Sequence, residues 1–556
     1  MRMRTAVFVF VAILTGLYYR WAVRAAGEEF RWGRNIDGYY NLLARGFAAG
    51  HLYLPFEVNP QLLAQPNPYD PALDDSLKLF DAALYNRRYY LYHGAGPAVF
   101  LFLPWRLVTG HDLPENFASF LLCFGGFLFS GAALLGLLQL AGREPGPVTT
   151  ALLLLALGFC PGVPFLLNRT WVYEIAIAGG YFCTSAAIWF LVRGLAAGNR
   201  GWMAAAGLGF GSAVACRPHL GLFALAAAVI VLMRARRSLL PFLLPLALAG
   251  LAIGVYNFER FGNPAEFGIG YLLTGRNQNR VKLEWQNVAP TSFYLLAAPP
   301  ETSTAFPWLR MAWPPRDLPR PKEFFLEPSI GAIWLVPFLP AILLIPRLGR
   351  ARLPAALLAC AAAGVFLFLG FTGWSTQRYE VDFLPVIVLA SLAGAATLRH
   401  AVLRGLLIVL ILFGIVVNLA LGVTGPIDEI IQKRPDRYVR LAGMFTPRGP
   451  RSLLLNPAFT LTCPSGGLLY FAAGTPLYRY ELLLERNRIV SRRAGSEVTA
   501  VPVIGEYTVA YAPATQEIIL SIAGSEVLRH KIGALVMSGS DLGSACAGRA
   551  RVTSAP

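Results

Sequence analysis

The feature that most constrains this chain is a recurring apolar run, many instances ending in arginine, repeated from Ala6 to Leu421. A bilayer's hydrocarbon core, about 30 Å thick, is crossed by about 20 mostly apolar helical residues. Spans are expected near 5–22, 117–141, 149–167, 175–192, 202–216, 219–233, 239–256, 329–345, 354–371, 383–398 and 405–421, eleven in all. The fifth and sixth share the turn Cys216-Arg217-Pro218-His219 and are short, so they are expected to be tilted or half-buried. With 56% hydrophobic and 14% charged residues over 556 positions, the chain carries more apolar surface than one soluble core of that length needs. The expected fold class is a polytopic α-helical membrane protein.

The net charge of +17 is no sign of nucleic acid, because the arginines punctuate apolar runs instead of clustering on one solvated face. They mark topology instead. With the N-terminus inside, the short cytoplasmic pieces hold Arg2, Arg4, Arg143, Arg193, Arg200, Arg234, Arg236, Arg237, Arg347, Arg350, Arg352, Arg399 and Arg404 against one acid, Glu144. An odd number of spans puts the tail outside. Counting the apolar stretch Gly94 to Thr109 as a crossing would invert every later loop, so it is expected to lie along the outer membrane surface. The chain is therefore expected in the cell (inner) membrane, with a cytoplasmic N-terminus and an extracytoplasmic C-terminal domain. The basic start and apolar Thr5 to Tyr19 resemble a signal peptide, but an uncleaved first helix is expected.

The expected organisation is a transmembrane domain over 1–421, with large outer loops at 23–115 and 257–328, and a small β-rich domain over 422–556. In that tail Glu497 to Ile504, Tyr507 to Ala512, Glu517 to Ile522 and Glu526 to Ile532 read as short strands. Five cysteines lie in or beside apolar runs and read as small buried hydrophobes. Cys463 and Cys546 are left in the tail and could pair in an oxidising compartment. No CxxC or Cys/His metal spacing, Walker loop, HExxH or GxSxG occurs in a credible context.

The residues fit for chemistry lie in the outer loops. Just past the first span stands Asn35-Ile36-Asp37-Gly38-Tyr39-Tyr40, an acid where a helix meets the outer interface; its plainer role is capping that helix. Asn86-Arg87-Arg88-Tyr89-Tyr90-Leu91-Tyr92-His93-Gly94 follows, where basic and tyrosine side chains suit a phosphate headgroup, although an aromatic belt has the same composition. Arg217 sits between apolar spans, where an unpaired charge is costly, which favours function over a structural pair. The short loop Asn168-Arg169-Thr170-Trp171-Val172-Tyr173-Glu174 offers Glu174 as a second acid. Arg378, in Gln377-Arg378-Tyr379-Glu380-Val381-Asp382, lies at the outer end of a span, and its plainer role is pairing with Glu380 or Asp382.

In this order the motifs resemble the GT-C superfamily of integral-membrane glycosyltransferases: Asp37-Gly38-Tyr39-Tyr40; Tyr89-Tyr90-Leu91-Tyr92-His93-Gly94 ahead of the surface helix; Tyr256-Asn257-Phe258 with Phe261-Gly262-Asn263-Pro264 and Glu266-Phe267-Gly268; and Arg378-Tyr379 ahead of Phe383-Leu384-Pro385. The resemblance covers the membrane part and not the tail. It implies transfer of a hexosyl or pentosyl unit, with inversion, from a polyprenyl-phosphate-linked donor to a glycan, lipid or protein acceptor of the envelope, as in mannosyltransferases and aminoarabinose transferases. It implies Asp37 as general base and a donor-phosphate role for Arg378. The expected substrate-binding set is Arg87, Arg88, Tyr89, His93, Glu174, Arg217, Tyr256, Asn257, Arg378 and Tyr379. Many members carry two adjacent acids in the first loop; here Gly38 follows Asp37, and Glu28 and Glu29 are not adjacent, so a divalent metal stays open and no cofactor is assigned. Membrane lipids are expected neighbours and nucleic acid is not. A lipid or glycan carrier without catalysis is the alternative, although transporters show repeats and mid-bilayer charges that are not seen here. A structural protein binding glycan through its tail is a third reading.

Overall fold

The computed structural model describes residues 2–25, 29–33, 36–274, 283–302, 308–311, 319–321, 324–327, 329–433, 454–456, 458–463, 470–473, 480–485, 488–493, 496–503, 505–533, 535–537 and 551–553. Hydrocarbon offers no partner for a free backbone N–H or C=O, so apolar runs satisfy their own backbone as helices. Among the described residues, seven helical stretches have the length and composition to cross a membrane: Met3–Arg24, Glu115–Leu140, Pro147–Leu166, Val172–Ala197, Arg236–Phe261, Leu339–Thr372 and Ala401–Thr424. Arg200–Cys216, Gly221–Arg234 and Leu384–Ala395 fill the places of three more expected spans as shorter helices.

Lipid is the natural partner of the outer surface. In Arg236–Phe261 only 11% of the most apolar window is buried inside the protein. Leu240, Leu244, Leu248, Leu251 and Val255 stand exposed there, forming an apolar face that water would penalise. The protein is polytopic and membrane-embedded.

One expected span takes another form. Across 329–345 the chain makes a single α-turn, Ala332–Leu335, and then a run of 3-10 turns over Leu339–Ala351. Pro337, Pro340 and Pro346 withdraw backbone donors, and Gly349 at φ 53° turns the chain before Arg352–Thr372 begins. The apolar stretch after Gly94 forms a π-turn, Ala98–Phe102, continuing into the helix Leu103–Thr109. That stretch is about 18 Å long, too short to cross.

The tail is β-rich. A four-stranded sheet is built from Tyr470–Ala473, Tyr480–Glu485, Arg488–Arg493 and Ser496–Pro502. A five-stranded sheet orders Ser525–Lys531, Glu517–Ile522, Tyr507–Ala512, Ala458–Cys463 and Arg551–Thr553. Leu482 and Ile489 from the first share one core with Phe459, Leu461, Val509, Ile518 and Leu520 from the second, the arrangement of a sandwich. Cys463 is disulfide-bonded, whereas Cys123, Cys160, Cys183, Cys216 and Cys360 are free; Cys546 lies outside the described residues.

Candidate active site

Several stretches of chain converge on a cavity of about 670 Å³. The first large loop supplies Phe80, Asp81, Tyr92 and His93; the loop ahead of Val172–Ala197 supplies Arg169, Trp171 and Tyr173. The turn after Arg200–Cys216 contributes Arg217 and His219, and the segment after Leu239–Phe261 contributes Glu266 and Phe267. Arg378 and Tyr379 come from the 3-10 turn Gln377–Asp382, and Glu327 from the second large loop.

Local sequence explains each placement. The hairpin Ala82–Tyr85 to Arg88–Leu91 closes through Asn86 and Arg87, both at positive φ, the primed-turn geometry whose twist matches a two-residue hairpin. Asp81 precedes it and its N–H donates to the Leu273 carbonyl at 2.7 Å, joining the first loop to the segment that bears Glu266. Beyond the hairpin, a Cβ on Gly94 would stand 2.1 Å from the Cys216 carbonyl oxygen. Glycine alone allows that approach, and it sets His93 beside Arg217. On the far wall, the parallel pairing of Phe325–Leu326 with Trp374–Ser375 brings Glu327 to Arg378.

The wall is lined with paired charges. Arg217 meets Asp382 at 2.7 Å, and the same carboxylate oxygen lies 3.1 Å from His219 Nε2. Arg378 meets Glu327 at 2.5 Å, while Arg169 meets Glu174 at 2.9 Å and Glu327 at 3.6 Å. The Tyr379 ring centroid is 5.2 Å from the Arg217 guanidinium carbon and 5.6 Å from that of Arg378, within cation–π range of both. Burial would raise the Asp382 carboxyl, but Arg217 and His219 outweigh it and hold the group below the ordinary range. Burial likewise opposes ionisation of Glu327, and Arg378 and Arg169 overcome it. His93 is pushed down to about 3 by burial, reinforced by Arg217 and Arg378, so its imidazole is neutral at physiological pH. Its Nε2, with Arg217 Nε and Arg378 Nε, is buried without a hydrogen-bond partner among the described residues. Two guanidiniums, a neutral imidazole and several tyrosines around such a volume suit an anionic, hydroxyl-rich ligand.

Of the residues expected from sequence, the cavity gathers His93, Arg217, Arg378 and Tyr379. Glu174 is not among the lining residues; it is buried and holds Arg169. Arg378 pairs with neither Glu380 nor Asp382: its partner is Glu327, 51 residues away, while Asp382 serves Arg217. Glu380 is buried, accepts from Gln377 Nε2 at 2.6 Å and is raised by burial. Arg87 and Arg88 are exposed on the hairpin, with Arg88 over the Tyr53 ring at 4.4 Å, off the cavity wall. Tyr89 is core. Tyr256 and Asn257 face Arg260, whose guanidinium donates to Asn257 Oδ1 at 2.7 Å and to the Leu91 carbonyl at 2.8 Å, a strut rather than a wall.

Asp37 is also off the wall. Its side chain is 81% exposed, 3.9 Å from Arg45, and the following helix Tyr39–Ala48 has Gly38 as its N-cap without a side-chain bond, so Asp37 does not cap it. The connection to the cavity runs through Tyr39, whose hydroxyl donates to the carbonyl of Phe80, a wall residue. Sequence reading missed Asp81, Arg169, Trp171, Tyr173, His219, Glu266 and Glu327 as wall residues. An arginine beside Trp171 and Tyr173 at the outer end of two apolar runs was the available signal for Arg169. Among the described residues no group of three or more His, Cys, Asp or Glu is placed to hold a metal ion.

No protein-family profile matches the chain, and no curated protein matches it. Among solved structures the chain is similar to the apo oligosaccharyltransferase of Archaeoglobus fulgidus, at 12% identity and a TM-score of 0.43, over 80% of this chain and 60% of that one. The same enzyme tethered to an acceptor peptide with the NVT sequon gives 12% identity and a TM-score of 0.42, over 78% and 58%. ArnT from Cupriavidus metallidurans bound to undecaprenyl phosphate gives 14% and 0.40, over 79% of each chain. The chain thus spans about three-fifths of the archaeal enzyme's length.

Proposed function

We propose that this protein is a membrane glycosyltransferase that takes a sugar from a polyprenyl-phosphate donor and passes it to a glycan, lipid or protein acceptor on the outer side of the membrane. The observation that carries the reading is the convergence of Arg217, Arg378, Tyr379 and His93 on one cavity of about 670 Å³. That volume suits a sugar phosphate, and a polyprenyl chain is far larger and belongs in lipid.

In this reaction the acceptor hydroxyl gives its proton to a carboxylate while its oxygen bonds to the anomeric carbon; Asp37, off the wall in the empty protein, serves as that base once the bound acceptor comes within its hydrogen-bond reach. The bond from that carbon to the donor phosphate breaks, and its electron pair goes to the phosphate oxygen, with inversion. Arg378 and Arg217 meet that growing charge in a partly desolvated site, where it is worth most. Neutral His93 offers a hydrogen bond to a sugar hydroxyl. Asp37 stands exposed where an acceptor arriving from outside meets it, and the Tyr39–Phe80 bond keeps its helix against the cavity wall.

The test uses full-length protein in nanodiscs with a polyprenyl-phosphate sugar and an envelope acceptor extract, following release of polyprenyl phosphate. Wild type is expected to turn over, and Arg378→Ala to lose at least about 100-fold. Undiminished turnover in that variant contradicts the assignment.

A further inference from the structure

The two arginine pairs on the cavity wall are built differently. Asp382, the partner of Arg217, has a side chain only 1% exposed, and it also binds His219. That partnership is sealed into the protein. Glu327, the partner of Arg378, is 21% exposed on the wall itself, and its other carboxylate contact is Arg169.

Glu327 Oε2 lies between the two guanidiniums, 2.5 Å from Arg378 and 3.6 Å from Arg169, and an anionic phosphate oxygen in the same place would accept from the same Arg N–H groups. The geometry points to Arg169 and Arg378 as the seat of the donor phosphate, with Glu327 as its displaceable stand-in. This rests on the glycosyltransferase reading and adds the residue that must leave. When a lipid phosphate enters, its oxygens take over the N–H groups that Glu327 holds, and the Glu327 carboxylate turns into the aqueous mouth of the cavity.

Three further observations favour exchange. Arg169, Arg378, Glu174 and Glu327 form a cluster of two positive and two negative charges. With Glu327 turned away, that cluster carries one net positive charge for the anion, while buried Glu174 keeps the arginines in place. The Glu327 N–H donates to the Ser375 carbonyl at 2.9 Å, so the backbone stays pinned and a side-chain rotation suffices. Finally, Arg169 and Arg378 lie over Trp171 and Tyr173 at 4.8 and 4.9 Å, which fixes the guanidiniums whether or not Glu327 is present.

The test measures binding of undecaprenyl phosphate, with undecaprenol as the uncharged control, to full-length protein in nanodiscs at neutral pH. In Glu327→Gln, undecaprenyl phosphate is expected to bind at least fivefold more tightly than in wild type, with undecaprenol unchanged. The variant's melting temperature is expected to fall without ligand and to recover when the phosphate lipid is added. Equal or weaker binding by a folded Glu327→Gln protein overturns the exchange. Should that variant not fold, Glu327→Asp withdraws the charge by one methylene and is expected to bind at least twofold more tightly; no gain there overturns it too. Wild type that fails to prefer undecaprenyl phosphate over undecaprenol would instead remove the lipid-phosphate reading itself, which separates the two failures.

Discussion

Two acids of the first large loop, Asp37 and Asp81, are placed differently with respect to the cavity. Asp37 follows the first span in sequence, with its side chain 81% exposed. Asp81 sits on the cavity wall at φ 60°, with its N–H on the Leu273 carbonyl. One is exposed off the wall; the other faces the cavity. On the proposed glycosyltransferase reading, Asp37 would serve the acceptor and Asp81 the donor, so position in a motif and position in a cavity would assign different halves of the reaction.

Substituting each acid with its amide is the sharpest way to break that division. Asp37→Asn is expected to lower kcat about 1,000-fold with donor binding within threefold of wild type, since a general base is worth roughly 100- to 10,000-fold. Asp81→Asn is expected to raise the donor KM about tenfold with kcat nearly unchanged, the signature of lost ground-state binding. Steady-state kinetics with varied donor reads both. The reverse pattern would move the base to Asp81.

A smaller effect tests how Asp37 is held. The residue before it, Ile36, donates its N–H to Asp112 at 2.9 Å and accepts from Arg45 at 2.9 Å. Asp112 is fully buried and also pairs with Arg45 at 2.6 Å and Arg106 at 2.5 Å. Removing one member of a buried pair strands the other charges, so Asp112→Ala is expected to cost about 3 kcal/mol of stability. Chemical denaturation checks this, and a loss below about 1 kcal/mol would mean that the clamp does not anchor the loop.

The smallest effect lies on the cavity side. His93 is held neutral with a pKa near 3, against 6.5 in the unfolded chain. Between those values the unfolded state binds a proton that the folded state refuses, so stability is lost as pH falls below about 6.5. At pH 5 this amounts to about 2 kcal/mol. Melting curves from pH 7.5 to 5 are expected to fall more steeply for wild type than for His93→Asn. Parallel curves would contradict the burial of His93.

The helical membrane architecture was legible because hydropathy acts locally and repeats along the chain. The strands Tyr507–Ala512 and Glu517–Ile522 were legible from local alternation. The segment 329–345 misled because its composition is apolar while Pro337, Pro340 and Pro346 deny it a continuous helix. Strand Ala458–Cys463 was missed although Phe459, Leu461 and Cys463 alternate inward, a signal short enough to overlook. In the site, Arg217 and Arg378 were visible as charges at the ends of apolar runs. Glu327 was not, because its approach to Arg378, 51 positions on, depends on a two-residue parallel strand pair that no local period announces.

The most direct test of the central claim is a structure of the full-length protein in nanodiscs with undecaprenyl phosphate. The phosphate is expected inside the cavity, within hydrogen-bonding distance of Arg378, with the polyprenyl chain leaving into the lipid. A phosphate bound elsewhere, or a cavity that excludes it, would contradict the account.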